Sequence, residues 1–598
     1  MSLLKVLVPG PWWHELSYEC DLPVAAGQRV LVPVGRSQRV GLCVGEDEYQ
    51  AEVKVRKIVA IVDAEPVLPT SYIRAARITA GAFLCSPSEV LHNLLPSGFW
   101  RGEAFPSYAD ELPLTTASTT DFQYRWDDEE QRLFYRDELL RNNDHAALVL
   151  FSERDQAVRF HKSLIGLIPK ERLFLWPASG SSTAVKAWHA VIKAKHPVII
   201  GGPGAASAPV PSGGLIIIDE ESSPAWRTKS GPVFSLRSLA AARARESACR
   251  LILGGRLPSS RVFSGFEPKE QGDRNASGLL RLIDLNQASR LEFKGLKFPL
   301  PLSDVLVSET IRHVSENQIV FWLLDRRGVS SEIHCAECGQ SVICDRCGSS
   351  LTLEKHVMRC PVCGHKQPVP SACPSCGGRV LQGASPGLEL MLPIARNLLS
   401  DRTVCLWHTD DPAGKKEGKI RAAQLRMNGG LLLGSRRALS LLDELSPSLI
   451  AWLDADAEAR QPHYMSRFNA YSMLLESCCR GGRREVMLQS RRFSQPWIRG
   501  LRNGWRDFWT GELRERKVFG FPPYSHLVEI EVPASWQKCE QLAFELDEAG
   551  FFTMLPAAGE RKLSVFTPQM ASLRHFLEKY FTISRSRLGY PKIEVWSD

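Results

Sequence analysis

Eight cysteines in the middle of this chain occur as four C-x-x-C pairs, and each pair is followed by a glycine. The first two pairs lie in "CAECGQSVICDRCG", and the others follow as "CPVCG" and "CPSCG". Two thiolates at this spacing reach one metal ion from a tight turn, and glycine tolerates the positive φ that such a turn often needs. Four pairs predict two closed Cys₄ sites, which leave no open position for a substrate and therefore indicate two structural zinc ions.

The lengths of the intervening loops indicate which pairs share a metal ion. Only five residues separate Cys338 from Cys344, which is little chain for closing the first two pairs on one ion. We therefore predict a nested arrangement, in which His334, His356 and His365 are bystanders because cysteines already fill both sites. A redox or disulfide cluster is the alternative. The inner zinc is assigned to Cys344, Cys347, Cys360 and Cys363, and the outer zinc to Cys335, Cys338, Cys373 and Cys376.

The composition is that of a multidomain globular protein. The chain has 598 residues, of which 44% are hydrophobic and 23% charged, with a net charge of +8. This mild excess suits a polyanionic partner without proving one. The longest uncharged run, His196 to Ile218, holds four prolines and five glycines, so no membrane span is predicted. A cytoplasmic location is expected, where paired cysteines are more often metal ligands than disulfides.

The spacing of hydrophobic residues along the chain predicts the strands and helices that could position these cysteines. Valine-rich alternating runs near the start predict a small β-rich domain, followed by a helical stretch around Ile73 to Leu95. From about residue 145, apolar runs such as "AALVLF", "HPVIIGG" and "GLIIIDEE" alternate with helical segments such as Thr183 to Lys195. A second series surrounds the cysteines. This rhythm predicts two parallel α/β lobes, with the zinc module inserted into the second.

Four segments of the chain resemble the family of primosomal protein N′, PriA, the bacterial replication-restart helicases. They are "LLDRRGVSSEIHCAECG", the acidic strand end with its following loop "GLIIIDEESSPAWRTKSGPVFS", "ERKVFGFPPY" and "VPVGRSQRVGLCVG". The resemblance spans nearly the whole chain. It implies an α/β fold with two RecA-like helicase lobes, a binuclear zinc insert, an N-terminal β-rich domain that binds DNA 3′ ends, and a C-terminal α+β domain.

Six parts are predicted along the chain from this resemblance and the periodicity. The expected boundaries are 1–102 for the N-terminal domain, 103–121 for a linker, 122–270 for the first lobe, 271–333 with 378–500 for the second lobe, 334–377 for the zinc insert and 501–598 for the C-terminal domain.

The first lobe lacks the phosphate-binding loop that a nucleotide motor needs. Such a loop supplies backbone N–H groups, a lysine and a Ser/Thr ligand for Mg²⁺. No glycine lies between Gly102 and Gly166, where the family has its G-x-G-K-T. The second motif keeps Asp219, Glu220 and Glu221, but Ser222 stands where the family has histidine. Arg480 and Arg483 match the family's arginine fingers. We predict degenerate catalytic positions, and little binding of ATP or Mg²⁺.

Two segments are candidates for contact with DNA. By resemblance, the 3′-end pocket falls on Ser17, which replaces the family's aspartate, and on Gly35, Arg36, Arg56 and Lys57. A plain β-domain surface is the alternative. Residues 491–517 interleave arginines with aromatic residues, as single-strand binding requires, although the spacing of Trp505, Phe508 and Trp509 is also that of a helix core. Trp226, Arg227 and Lys229, in the loop after the acids, form a similar hypothesis.

The favoured hypothesis is a replication-restart protein that binds stalled or forked DNA without helicase activity of its own. The resemblance implies as partners forked or single-stranded DNA, other primosome proteins, the loader of the replicative helicase and single-strand binding protein. A monomer is expected. The alternatives are an active ATP-dependent 3′→5′ helicase and a zinc-ribbon RNA-binding protein on a retired helicase core.

Overall fold

A computed structural model gives the fold of most of the chain. The described part excludes residues 1, 11, 48–54, 109–117, 179–181, 230, 272–277, 290–299, 325–332, 336, 339, 347–350, 355–356, 361–364, 383–387, 408–413, 462, 533–534, 555–560, 581–591 and 598. By its contacts the chain divides into two compact units. Unit 1 comprises Met1–Arg125, Glu129–Gln271 and Arg516–Asp598, and unit 2 comprises Trp126–Asp128 and Gly272–Glu515.

Unit 1 begins with a six-stranded sheet in the order β5-β2-β1-β4-β3-β6. Alternate residues on its strands, such as Val30 and Val32, are fully buried, because successive side chains of a strand point to opposite faces. Three helices follow the sheet. The elements are β1 (Ser2–Leu7), β2 (Leu16–Cys20), β3 (Arg29–Val34), β4 (Ser37–Glu46), β5 (Arg56–Lys57), β6 (Ala60–Ile61), α1 (Thr70–Ala82), α2 (Pro87–Leu94) and α3 (Ser97–Trp100).

The predicted helical stretch at 73–95 is two helices. Leu84 has a φ of 50°, in the left-handed region, which stops α1. Ser86 then begins α2 with a capping box, in which its side chain accepts from Ser88 N and Glu89 caps the Ser86 N–H. Periodicity alone did not reveal the break because both helices are amphipathic.

The first lobe is a seven-stranded sheet in the order β13-β7-β12-β11-β8-β10-β9, and all the described pairings are parallel. The central strands are apolar throughout because helices cover both faces of a parallel sheet. The elements are β7 (Thr120–Arg125), α4 (Asp128–Arg141), β8 (Ala147–Leu150), α5 (Arg154–Ser163), β9 (Leu173–Leu175), α6 (Ser182–Lys193), β10 (Val198–Gly201), β11 (Leu215–Ile218), α7 (Leu236–Glu246), β12 (Arg250–Gly255), α8 (Ser260–Phe266) and β13 (Glu270–Gln271).

Unit 2 contains the second lobe and the cysteine-rich insert. The lobe is a six-stranded parallel sheet in the order β14-β24-β23-β15-β22-β21. The insert has one two-stranded and one three-stranded sheet. The elements are β14 (Gly278–Asp284), α9 (Asp304–Ser315), β15 (Ile319–Leu323), β16 (His334–Cys335), β17 (Thr352–Glu354), β18 (Val357–Arg359), β19 (Lys366–Pro368), β20 (Leu381–Gln382), α10 (Leu388–Leu398), β21 (Val404–Trp407), α11 (Gly414–Asn428), β22 (Gly430–Gly434), α12 (Leu442–Leu445), β23 (Leu449–Trp452), α13 (Ser466–Cys479), β24 (Arg484–Ser490), α14 (Pro496–Asn503) and α15 (Trp505–Phe519).

The C-terminal part is a four-stranded antiparallel sheet in the order β26-β27-β25-β28, with two helices. It packs within unit 1: Arg574 donates to the carbonyls of Ala80 (3.2 Å) and Cys85 (3.1 Å), and its guanidinium lies 4.3 Å from the ring centre of Trp13. The elements are β25 (His526–Glu531), α16 (Trp536–Glu548), β26 (Phe552–Met554), β27 (Lys562–Thr567), α17 (Met570–Glu578) and β28 (Lys592–Trp596).

The predicted α/β class with two parallel lobes and a cysteine-rich insert is confirmed. The six-part division stays a prediction. Three of its borders fall inside elements, because the border at 121/122 cuts β7, that at 270/271 cuts β13 and that at 500/501 cuts α14. Among the described residues, none of the helices combines the length and the apolar character that crossing a bilayer would require.

Candidate functional site

The outer cysteine set is brought together in unit 2. The four sulfurs of Cys335, Cys338, Cys373 and Cys376 lie within 4.8 Å of one another. Cys335 Sγ is 3.6 Å from Cys376 Sγ, and Cys338 Sγ is 3.7 Å from Cys373 Sγ. With Zn–S bonds of about 2.3 Å, sulfurs at the corners of a tetrahedron are about 3.8 Å apart. The described sulfurs therefore fit one zinc ion.

Backbone turns around these cysteines orient the thiolates. Glu337 N donates to Cys335 Sγ, Ser375 N to Cys373 Sγ and Gly378 N to Cys376 Sγ, each at 3.4 Å. Such N–H···S bonds stabilise negative charge on sulfur, which is the form that binds metal. The antiparallel pair of strands β16 and β20 brings the two ends of the insert together at the site, since Cys335 pairs with Leu381. The structure thus prepares four thiolates for a closed site.

Half of the inner set lies outside the described residues, namely Cys347 and Cys363. The other two, Cys344 and Cys360, are 1% and 0% exposed, and they pack with Val342, Met358 and their neighbours in a small core. The inner site therefore remains a prediction.

The histidines near the cysteines are only partly described. His365 points its Nε2 at Asp345, 3.0 Å away, and its carbonyl accepts from Cys360 N at 2.8 Å. That ion pair agrees with the predicted bystander role. His356 and the side chain of His334 lie outside the described part of the chain.

Two residues of the predicted 3′-end pocket, Gly35 and Arg56, lie together at the N-terminal sheet. Strands β2 and β5 pair in parallel, with Tyr18 opposite Arg56. Arg56 Nη1 donates to the carbonyl of Gly35 at 2.9 Å, which ties β5 to the β3–β4 turn. Gly35 adopts a φ of +59°, and a Cβ there would meet nothing within 4 Å, so the turn faces open space. Arg36 beside it is exposed.

Lys57 and Arg56 point to opposite faces of the sheet, because they are neighbours on β5. Ser17 neighbours Tyr18 on β2, and Tyr18 lies opposite Arg56, so Ser17 is on the face of Lys57 rather than on that of Arg56. Lys57 pairs with Asp21 at 3.1 Å.

Sequence reasoning missed a carboxylate at this pocket. Ser17 Oγ donates to Asp47 Oδ2 at 2.5 Å, and Lys5 Nζ lies 3.3 Å from Asp47 Oδ1. Lys5 and Ser17 are cross-strand partners on β1 and β2, whereas Asp47 follows the end of β4. Only the strand order β2-β1-β4 brings the three together, and no local motif announces it. An acidic group thus lies where Ser17 replaced an aspartate.

The acids after β11 are engaged by neighbouring side chains and backbone. Tyr135 donates to Asp219 at 3.0 Å, and Tyr124 donates to Glu221 at 2.9 Å. Burial raises the pKa of both phenols well above the usual value, so they stay protonated and act as donors. Glu221 is 1% exposed. It also accepts from Ser259 N at 2.7 Å and pairs with the guanidinium of Arg237.

Glu220 is held as well. Its carboxylate accepts from Arg256 N at 3.1 Å and pairs with Arg256 Nε at 2.9 Å. Its carbonyl accepts from the indole N–H of Trp226 at 2.8 Å. Trp226 is therefore a buried anchor of this turn rather than an exposed stacking surface.

The turn between β7 and α4 lies in the stretch without glycine between Gly102 and Gly166. The turn and the first residues of α4 read Trp126, Asp127, Asp128, Glu129, Glu130, and none of these is a glycine or lysine. Trp126 is buried and stacks on Trp505 with ring centres 6.3 Å apart. Residues Trp126–Asp128 belong to unit 2, although both flanking segments belong to unit 1. The turn offers carboxylates and an indole, which do not bind phosphate.

The two predicted arginine fingers differ in exposure. Arg480 is 2% exposed, and its guanidinium donates to Asp443 at 2.9 Å and to Glu476 at 2.6 Å. This side chain is fixed as part of unit 2. Arg483, between two positive-φ glycines and Arg484, is exposed.

The aromatic residues of 491–517 form a core rather than a stacking surface. Trp497, Trp505, Phe508 and Trp509 are all at most 2% exposed. The helical spacing indicated this alternative, and base stacking by these rings is excluded. Arg227 in the loop after the acids likewise lies 3.8 Å from the ring centre of Trp596, while Lys229 is exposed.

Comparison with known proteins finds one family model that matches the N-terminal part and several relatives that are similar over longer stretches of the chain. Residues 5–96 match the family model described as the 3′ DNA-binding domain (3′BD) of PriA. The replication restart protein PriA of Bacillus subtilis is 24% identical over 420 residues, covering 67% of this chain and 51% of that protein. That of Treponema pallidum is 23% identical over 555 residues, covering 84% and 82%. The first match thus spans about half the length of the relative.

Solved structures that match about two thirds of the chain include the following two. A DEAD-box protein from Methanococcus jannaschii is 10% identical with a TM-score of 0.30, covering 66% of this chain and 86% of that one. The DUF1998 helicase MrfA bound to DNA and AMPPNP is 12% identical with a TM-score of 0.33, covering 66% and 48%. The chain is thus similar to the replication restart proteins PriA, and its residues 5–96 match the 3′ DNA-binding domain of that family.

Proposed function

We propose that this chain binds forked DNA through a 3′ end and serves replication restart without turning over ATP. Its role is to recognise DNA and to present a rigid, zinc-bound surface to other restart proteins, including the loader of the replicative helicase. Single-strand binding protein is a further proposed partner, by family resemblance alone.

The main support for a loss of ATP turnover is that neighbouring side chains already contact the acids after β11. A working site keeps its acids available to Mg²⁺ and water. Here Tyr124, Tyr135 and Arg237 contact Asp219 and Glu221 directly. Admitting a metal ion would break the ion pair of Arg237 and the hydrogen bonds that two buried phenols donate to these acids, which costs about 1–3 kcal/mol for each buried bond lost.

Two further features support the same proposal. The β7–α4 turn and the first turn of α4 together carry four consecutive acids, which repel phosphate. Arg480 is engaged by Asp443 and Glu476, so its guanidinium is not offered to a transferring phosphate. The protein therefore offers a nucleotide no phosphate-binding loop, and it offers only one of the two predicted arginine fingers.

We expect purified protein to release no phosphate from ATP above background, with or without forked DNA. The variant Asp219→Asn is expected to behave identically, because its carboxylate accepts a structural hydrogen bond rather than serving catalysis. A phosphate-release assay at saturating fork concentration measures this. DNA-stimulated turnover that disappears in Asp219→Asn would establish the active-helicase alternative instead.

The DNA-binding part of the proposal rests on the domain match and on the pocket geometry. Asp47 supplies a hydrogen-bond acceptor for a terminal 3′ hydroxyl, with Ser17 as its neighbour. Arg36 and Arg56 supply positive charge for the adjoining phosphates. A 3′ phosphate would bring like charge against Asp47, so the pocket should discriminate between the two ends.

Binding to forks that end in 3′ hydroxyl is expected to be about 10-fold tighter than to forks that end in 3′ phosphate, as one charge-assisted hydrogen bond allows. Asp47→Asn should lose most of this preference. Asp21→Asn, which removes the carboxylate that pairs with Lys57, is the matched control. Fluorescence anisotropy reports the affinities, and equal discrimination by Asp47→Asn and the parent would contradict the pocket assignment.

Structured RNA serves as the competitor that tests the remaining alternative. Tighter binding to structured RNA than to forked DNA would favour the RNA-binding hypothesis.

A further inference from the structure

The helices α14 and α15 place four arginines on the surface of unit 2. Arg499, Arg502, Arg506 and Arg514 are all exposed. Between residues 496 and 514 the sequence holds only two acids, Asp507 and Glu512. Glu512 is 2% exposed, so it does not contribute to this surface. Asp507 pairs with Arg499 at 3.3 Å. The outward face of this helical corner is therefore strongly basic.

Packing beneath the corner holds these arginines on a fixed frame. The ring of Phe508 stacks on Tyr471 with centres 4.3 Å apart, and Trp509 stacks on Phe468 at 5.4 Å. Gly500 allows the close approach of the two helices, because a Cβ there would lie 2.8 Å from Phe508 Cβ. The backbone of α14 and α15 is thus anchored to α13 by its aromatic face.

We propose that this corner binds the sugar–phosphate backbone of duplex DNA independently of sequence. The inference rests on the proposed DNA-binding function but concerns a second surface, which belongs to unit 2, whereas the 3′-end pocket belongs to unit 1. Each guanidinium group supplies a positive charge and a planar pair of N–H donors that can bind two phosphate oxygens at once. We name Arg502, Arg506 and Arg514 the arginine corner.

Because the described residues of this corner expose no aromatic ring, we infer that it binds duplex DNA rather than single-stranded DNA. Proteins that bind single strands stack bases on aromatic side chains. Here every aromatic residue of α14 and the first turns of α15 is buried, so only charge is offered. In a duplex the phosphates face outward and the base faces are hidden. Arg506 and Arg514 are eight residues apart on one helix, about 12 Å, over which one strand of duplex carries three or four phosphates.

The test uses a dumbbell duplex whose ends are closed by hairpins, so that no 3′ end can enter the pocket of unit 1. Binding of the full chain is measured by anisotropy as a function of salt. The variant Arg502→Gln/Arg506→Gln/Arg514→Gln removes three charges. A control variant, Arg346→Gln/Arg396→Gln/Arg437→Gln, removes three other exposed arginines of unit 2 and lowers the net charge of +8 equally.

For the arginine-corner variant we expect the slope of log affinity against log salt to fall by roughly two to three, at about 0.9 per lost phosphate contact. Affinity for the dumbbell at low salt should fall about 10- to 100-fold. The control variant should keep the parent slope. Unfolding midpoints of both variants show that the fold is retained.

Two results would overturn the proposal: identical slopes for the two triple variants, or a larger loss on circular single-stranded DNA than on the dumbbell. Failure of the 3′-end proposal has a different signature. In that case the preference for 3′ hydroxyl forks is missing, while the arginine-corner variant still loses the dumbbell.

Discussion

Replacing Cys373 and Cys376 by serine is expected to remove one zinc ion per chain and to unfold the outer part of the insert. The two residues supply half of a four-sulfur set whose described distances fit a zinc tetrahedron. Serine hydroxyls are poor replacements for thiolates, and structural zinc binding is worth on the order of 10–16 kcal/mol in small zinc modules. The β16–β20 pair has only two residues in each strand, so it has little else to hold it.

Metal analysis of the purified protein measures this effect directly. The parent chain is expected to carry two zinc ions and the double variant one. Cys405→Ser changes a buried cysteine of the second lobe outside the four pairs and should leave the metal content at the parent value. A parent value well below two would remove the inner site, and an unchanged value in the double variant would remove the outer one.

The second large effect is expected from Glu221→Ala, as a loss of about 3–5 kcal/mol in the free energy of unfolding. The substitution removes the buried carboxylate that pairs with Arg237 and that accepts hydrogen bonds from the phenol of Tyr124 and the N–H of Ser259. In a working motor the corresponding acid serves Mg²⁺ and water, so its loss would mainly affect turnover. Here the carboxylate is a structural group.

Urea unfolding at neutral pH measures the change. Glu171→Ala, which removes an exposed carboxylate of the first lobe, is the control and should stay within about 0.5 kcal/mol of the parent. If Glu221→Ala has the same free energy of unfolding as this control, then the network around the acids does not stabilise the lobe. That result would contradict the structural role proposed for Glu221.

Much of the fold follows from local patterns. Uninterrupted apolar runs such as Leu215–Ile218 predict strands of a parallel sheet, and the structure places this one at the centre of the first lobe. Strand β7 was not predicted, because "TDFQYR" has polar residues and no apolar run. It becomes a strand by pairing with β12, a contact between segments more than a hundred residues apart.

The candidate sites divide in the same way. Cysteine spacing predicts metal ligands because C-x-x-C pairs form within one turn. Asp47 was missed because its contact with Ser17 depends on strand order, and the partners of Glu221 were missed because they come from β7, α7 and the end of β12. Residue types at a motif show which chemistry was inherited. Only tertiary neighbours show whether the side chains remain available for it.

The loop after the acids reaches the last strand of the chain. Arg227 donates to the carbonyl of Val595 at 2.8 Å and covers the indole of Trp596, and Val233 forms a bridge with Glu594. The strand β28 and this loop therefore hold each other in place, although 368 positions of sequence separate Arg227 from Val595. A fluorophore attached at Ser597 would report on, and disturb, the loop that adjoins the acidic turn.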